Sequence, residues 1–577
     1  MGPNDVRFAA TAPIPGGTRQ MTETPMLDEQ RNLAVKRIMS MGGSRRDMLK
    51  VAAAAGLIPV LTSAQAGAAL AASQEGGTPV RGGTFVTLGH ETIETLSPEN
   101  SSSTVPWVTI IQLFDSLYQI DEQFQLVPVL AESFEPSADG LTYTFKLRTG
   151  VTFHNGDAFS SADVKYTYDW IKDPANGSIQ AGAFQFVSTV EAPDPQTVVV
   201  TLTEADVTFM VSVAPTMILP SAYHAEVGEE AFSAAPIGTG PYFLADPADF
   251  VPAQKVVLTA NESYFRGRSN FDTYQIDIVP EAAGRMAALE SGQADNSIWS
   301  LNGEDSITLE ESGDFQVLKV LNNAVNHFVI NNEAPVFADV NVRKALLHAS
   351  DRSAFLEDVY RGLGVLATSH LSPNVEKYYN PNVTTYDFNI DTANKILDEA
   401  GWVRGDGDIR EKDGVRLEFT LAVIQGDTQR RPEAEVAQQS FKEIGVDMQI
   451  EESTAVTDGM MDGTFIAALF NWVYGGGNGE PDARDTLGST GANNFSHYKN
   501  AEVDQLLQDG VLTLIDEERI SIYNRIQEIV AEEVPFLYFL HPMGYAFYAN
   551  HIGGVPAEVL SSDNLYYKTF AMWKNAE

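Results

Sequence analysis

Residues 130–171 read LAESFEPSADGLTYTFKLRTGVTFHNGDAFSSADVKYTYDWI. Within them Leu141, Tyr143, Phe145 and Leu147 alternate with Thr142, Thr144, Lys146 and Arg148, the period of a strand with one buried face. Asp139-Gly140 just upstream is a tight-turn pair, so this strand should form a hairpin with Ser133–Pro136. A second turn follows at His154-Asn155-Gly156-Asp157. Ser160 then stands three residues before Asp163, a Ser-x-x-Asp variant of the capping box, and Val164, Tyr168 and Ile171 share one helical face. The stretch predicts hairpin, turn and capped helix.

Outward from it, helical and strand periods keep alternating. Asp391–Gly401 reads as a helix with Asp391 as N-cap, Ile396, Leu397 and Ala400 as its apolar stripe, and Gly401 as its stop. Pro432–Ile444 reads as another, stopped by Gly445 and leading into a strand through Val446, Met448 and Ile450. No repeat of solenoid length is present. At about 100–200 residues per domain the chain after its leader should hold two to four domains. The alternation suits an α/β fold, with mixed sheets flanked by helices on both faces.

The same residues resemble the signature region of the peptide/nickel-type solute-binding proteins of bacterial ABC importers, the family 5 dipeptide/oligopeptide-binding type. The resemblance rests on Leu130–Ser133, Asp139-Gly140, Phe145–Arg148, Phe153–Gly156 and Asp163-Val164. It continues in order through Pro236–Tyr242, Val342–Leu346 with Ala349–Arg352, Ala393–Trp402 and Asn494–Leu506. It spans roughly Gly82 to the C-terminus. It implies two lobes around a central cleft with a hinge, the chain crossing between them more than once, and an extra inserted subdomain. The first lobe is placed at 82–118, 235–325 and 541–577, the inserted subdomain at 119–234 and the second lobe at 326–540. The signature stretch then lies in the inserted subdomain, away from the cleft.

The start of the chain carries a different kind of signal. Ser44-Arg45-Arg46-Asp47-Met48-Leu49-Lys50, an Ala-rich apolar run from Val51, and Ala69-Leu70-Ala71 form the order of a twin-arginine signal peptide with an A-x-A-like cleavage site. Residues 44–71 are assigned to it, and 1–43 to a leader that is disordered or follows a misassigned start. The competing reading of Val51–Ala72 is a membrane anchor, against which its Ala/Gly content and Pro59 weigh. Export in the folded state to the periplasm is the expectation. The chain has 37 Lys and Arg against 78 Asp and Glu, a net charge of −41. Such a surface repels nucleic acid and anionic lipid and keeps the chain soluble. With no Cys there is neither a disulfide nor a lipid-attachment cysteine. Stability must therefore come from core burial, and no membrane insertion of the mature chain is expected.

The motifs of catalysis and metal binding are missing. There is no G-x-S-x-G elbow, no H-E-x-x-H helix and no thiol nucleophile, so no enzyme is read here. Carboxylate pairs such as Glu451-Glu452 are what so acidic a chain contains by composition. The nine His residues (90, 154, 224, 327, 348, 370, 497, 541 and 551) form no i, i+3 or i, i+4 pair, so neither a metal nor a cofactor is predicted. For His154 a structural hydrogen-bonding role is expected.

Phe470 to Asp482, FNWVYGGGNGEPD, is the most informative constellation for a ligand. Trp472 and Tyr474 offer stacking surface beside Gly475, Gly476 and Gly477, where backbone can approach a ligand closely. The competing reading is a surface turn flanked by core aromatics. In peptide-binding relatives an Asp stands a few residues before the x-Pro pair and holds the peptide α-ammonium; alignment on Glu480-Pro481 puts Gly477 there. Either Glu480 or Asp482 serves instead, or the ligand has no free α-amine, as in an oligosaccharide, an opine-like conjugate or a modified peptide, or the alignment register is shifted. On the opposite wall the resemblance points to Ser102, Ser103 and Thr104, and to Trp299 and Asn302. The combined expectation is a monomeric periplasmic receptor that captures a small solute, a peptide first, by hinge closure and delivers it to ABC permease subunits. The alternatives are an oligosaccharide, opine-like solute or nickel complex as cargo, and a secreted hydrolase on the same fold.

Overall fold

In the computed structural model the described residues are 79–575 without 102, 299–302, 426–429, 475–478 and 514. The hairpin forms as its turn residues dictate: Ala131–Pro136 pairs antiparallel with Thr142–Leu147, and Gly140 takes φ 70° in the turn between them. Thr197–Leu202 and Val187–Asp194 complete a four-stranded antiparallel sheet. Helix Ser161–Lys172 begins with the complete capping box, Ser160 N–H donating to Asp163 Oδ2 at 2.9 Å and Ala162 N–H to Ser160 Oγ at 3.3 Å. Its Val164, Tyr168 and Ile171 pack against Tyr143, Phe145, Leu147 and Val200, and this cluster is the core of the inserted subdomain.

Two other landmarks of the chain meet at His154. Gly238 N–H donates to His154 Nδ1 at 3.1 Å and Nε2 faces Gly240 O at 3.1 Å, so Nε2 carries the proton. Burial lowers this imidazole to about 4, keeping it neutral. A Cβ at Gly238 would sit 2.0 Å from Leu113 O, and one at Gly240 2.7 Å from the same atom, which is why this turn needs glycine. The structural role expected of His154 is what the geometry shows.

The largest sheet, 13-stranded among the described residues, joins the two lobes. In the first lobe Thr84–Gly89 lies parallel to Thr273–Ile278 and Asn296–Ser297. In the second, Glu418–Ile424 lies parallel to Asp447–Ser453 and to Ala467–Val473. Strand Phe536–Ala549 belongs to both: its first half pairs with Ala324–Ile330, its second with Phe315–Leu321. Apolar clusters cover both faces of each half, Phe85 and Tyr274 on one side and Leu88 and Phe547 on the other in the first lobe, Phe328 and Leu469 opposite Val325 and Tyr538 in the second.

Helix starts in the second lobe differ slightly from expectation. The helix expected at Asp391–Gly401 spans Ile390–Glu399, and its N-cap is Asn389, whose side chain accepts from Thr392 N–H at 2.8 Å. Both residues are good caps, and the one that precedes the first turn wins. The next expected helix begins earlier, at Arg430, and runs to Glu443, with Gly445 at φ 77°. Arg343 and Arg352 of the V-R…D-R segment are buried clamps on backbone carbonyls: Arg343 donates to Val534 O at 2.9 Å and Phe337 O at 2.7 Å, Arg352 to Ala367 O at 2.8 Å.

Candidate functional site

The chain passes between the lobes at 321–324 and 540–543. Asn322 N–H donates to Pro542 O at 2.9 Å, and His541 Nδ1 bonds Ala324 O at 2.9 Å. Both passages are short extended segments held side by side, the arrangement of a hinge. In the register of the second lobe, Ala324 stands opposite Val473 and Val325 opposite Trp472. The carboxyl ends of Ala467–Val473 and Glu418–Ile424 therefore face the hinge, the edge at which open α/β sheets bind ligands.

At that edge Trp472 is half-buried and stacks on Phe470, with ring centroids 6.1 Å apart and planes 24° apart. The Arg430 guanidinium lies 5.8 Å from the Phe470 ring centre and donates to Asn471 Oδ1 at 2.7 Å. Tyr474 differs from the sequence expectation of a stacking surface. It is 1% exposed, its ring edge-packed against His370 at 4.9 Å, because Asn323 O takes its N–H and turns it under the hinge. Glu480 is also committed. It forms a buried ion pair with Arg519, which donates to Gly510 O at 2.7 Å and Tyr378 OH at 2.7 Å and lies over the Tyr378 and Tyr523 rings. Asp482 takes the Arg484 guanidinium at 2.7–3.0 Å through both oxygens. Gly475, Gly476 and Gly477, with Ser102, Trp299 and Asn302, lie outside the described residues.

In the first lobe, Ser103 is exposed and Thr104 half-buried at the start of helix Thr104–Ile110. The loop before them points inward. Glu99 is fully buried, accepting from Ser178 Oγ at 2.8 Å, while Gln180 Nε2 donates to Pro98 O at 3.0 Å. Burial pushes the Glu99 carboxyl up to about 8, and nearby Glu229 adds to the rise.

The inserted subdomain reaches the second lobe, a contact that the sequence reading did not anticipate. Val207 N–H donates to Val511 O at 3.0 Å, and the Arg484 guanidinium lies 5.8 Å from the Phe186 ring centre. Gly479 packs near the Phe124 ring. A further bridge joins Asn374 Nδ2 to Leu560 O at 3.0 Å. Arg430, Arg484 and Arg519 were absent from the sequence-derived site. The only signal for them was basic residues in so acidic a chain. Among the described residues no group of three or more His, Asp or Glu could hold a metal ion, and no helix is long and apolar enough to cross a membrane.

Comparison with known proteins places this architecture. Residues 125–494 match the model of the bacterial extracellular solute-binding proteins, family 5. The chain is 29% identical over 472 residues to heme-binding protein A of Haemophilus influenzae, covering 76% of this chain and 83% of that protein. To the oligopeptide-binding protein AppA of Bacillus subtilis it is 28% identical over 503 residues, covering 84% and 90%. The solved structure of AppA with a nonapeptide superposes with a TM-score of 0.75 at 26% identity, over 86% of this chain and all of that one. The substrate-binding protein CtaP of Listeria monocytogenes gives 0.76 at 25%, with the same coverage. A match over most of the chain, on two lobes joined by two extended crossings, makes this protein a member of the bacterial extracellular solute-binding proteins, family 5.

Proposed function

We propose that the chain is the periplasmic receptor of an ABC importer, without catalytic activity, which binds a peptide or peptide-like solute between its lobes and delivers it to a membrane permease. The observation that carries the reading is the pair of extended crossings at 321–324 and 540–543, in a chain of this family. Lobe I comprises 82–118, 235–323 and 541–577, the inserted subdomain 119–234 and lobe II 324–540, the first crossing falling two residues before the expected 325 because Ala324 and Val325 pair in the second lobe's sheet. Solute contacts both walls and shifts the population toward the closed form. Trp472, Ser103 and Thr104 contribute from the described residues. Ser102, Trp299, Asn302 and the Gly475–Gly477 backbone complete the site. Export uses the twin arginines Arg45-Arg46, and the mature receptor is a monomer.

A peptide is the first choice of cargo, since AppA is an oligopeptide-binding protein. One observation favours a solute with no free α-ammonium: Glu480 and Asp482 are already paired with Arg519 and Arg484. An α-ammonium sealed in the cleft without a counter-charge would cost several kcal/mol. Titration calorimetry of a di- to pentapeptide pool and of the same pool with blocked amines separates the two. Tighter binding of the blocked pool is expected, since blocking removes the uncompensated charge. A loss of binding on blocking would show that an α-ammonium is held after all.

A further inference from the structure

One segment of the second lobe does not stay within its lobe. Phe355–Val359 closes as a π-turn whose Phe355, Leu356 and Val359 pack in the second-lobe core. Arg361 and Gly362 then take φ 55° and 77°, and Gly362 N–H donates to Leu356 O at 2.8 Å, so the chain reverses at once. The reversal lays Gly364–Leu366 along the crossing at 540–543, with Gly364 opposite Pro542 and Leu366 opposite Leu540. Leu540 pairs with Asn326 on its other edge, so the crossing has a neighbour on both sides. A Cβ at Gly364 would sit 2.6 Å from His541 O, which only glycine avoids. Leu363, one residue earlier, reaches past the hinge. Its carbonyl accepts from Met543 N–H at 3.1 Å, and its half-buried side chain packs against the first-lobe cluster that contains Leu88, Met286 and Phe547.

We propose that Leu363 is a positioning residue for solute capture: a second-lobe brace, seated in the first lobe, that sets the angle between the two. This rests on the receptor reading above and adds what governs the hinge. The physical case is one of attachment. The two crossings are short extended segments, whose φ and ψ can change with little loss of packing. Leu363 is tied to the second-lobe core by the π-turn and to the first-lobe cluster by its side chain. Rotation about the crossings must therefore draw an apolar side chain out of that cluster and stretch the Met543–Leu363 bond. Truncating the leucine removes the first of these costs. The lobe arrangement seen here should then lose weight against rotated ones by about five- to tenfold, the size expected for half-burying a leucine side chain.

The chain has no Cys, so two introduced ones can carry spin labels: Lys255→Cys in the first lobe and Lys395→Cys in the second, both at exposed positions. Pulsed electron resonance then reads the distance between the lobes in the full mature chain, without solute. Wild type should give one dominant distance. Leu363→Ala should raise the population outside that peak by about five- to tenfold, and Leu363→Met, which still reaches the cluster, should restore the wild-type distribution. Identical distributions for wild type and Leu363→Ala, or a change that Leu363→Met shares in full, would overturn the proposal. Hydrogen exchange on wild type gives a second reading that needs no variant. The Met543 amide, bonded to Leu363 O, should be protected to within about tenfold of the Asn322 amide, bonded to Pro542 O in the crossing itself, and much faster exchange at Met543 would also overturn the brace. Both readings are made without solute, so a peptide pool that fails to bind counts against the receptor reading alone.

Discussion

The backbone N–H of Val207 donates to the carbonyl of Val511 at 3.0 Å, so the inserted subdomain is hydrogen-bonded to the last turn of a second-lobe helix, Ala501–Leu512. Beside this bond Arg484 ties Asp482 to the face of Phe186. These contacts join the subdomain to the second lobe, and losing them should loosen the arrangement of the lobes seen here. Arg484→Ala should weaken solute affinity by about two- to fivefold, as expected for loss of a partly exposed cation–π contact, with the loss appearing in the dissociation rate. Stopped-flow dissociation checks it, and Phe186→Ala should add little to the Arg484→Ala effect.

The Glu480–Arg519 pair should prove structural. Glu480→Gln leaves a buried guanidinium short of its counter-charge and should cost on the order of 3–5 kcal/mol in unfolding free energy, measured by urea titration. A variant that lost solute affinity with its stability intact would instead make Glu480 a ligand contact.

Glu99 predicts a loss of stability toward alkaline pH. Its carboxyl is raised from 4.5 to about 8 by burial, so the folded state holds a proton there that the unfolded chain has released. The favourable contribution is whole below pH 4.5 and disappears as pH rises to 8, up to about 5 kcal/mol in all. Glu99→Gln should flatten this slope, so that its melting temperature overtakes that of wild type between pH 7 and 9.

The buried imidazoles act in the acid direction. His154, His327 and His541 are lowered to about 4 and His370 to about 3, burial being the first cause in each. Unfolded histidine takes its proton near pH 6.5, so stability is full above that and falls between pH 6.5 and about 4. His370 is special, because both ring nitrogens are buried with no hydrogen-bond partner among the described residues. His370→Leu should be neutral or stabilising at pH 7 and should reduce the acid slope, read by calorimetric scans at stepped pH.

What the sequence revealed was what is decided locally. Ser160 and Asp163 lie three residues apart, so their capping box could be read directly, and the Tyr143–Leu147 alternation announces its buried face. Asn389, two residues before the expected cap Asp391, caps the helix because the first turn starts there. The site was less legible because its partners are distant. Nothing near Glu480 announces Arg519, 39 residues on, and nothing near Tyr474 announces His370, which comes from another loop and buries it. The Phe470–Trp472 stack was implicit in a two-residue period, but Arg430 reaches it from the first residue of a helix that follows a different strand.

The receptor account is tested most directly by thermal unfolding of the mature chain with and without a peptide pool, coupled to mass analysis of the pool afterwards. The account predicts a rise in melting temperature that grows with pool concentration, about 2.7 kcal/mol of stabilisation at a hundredfold excess over Kd, with every peptide recovered intact. Cleaved peptides, or no rise with either free or amine-blocked pools, would contradict it.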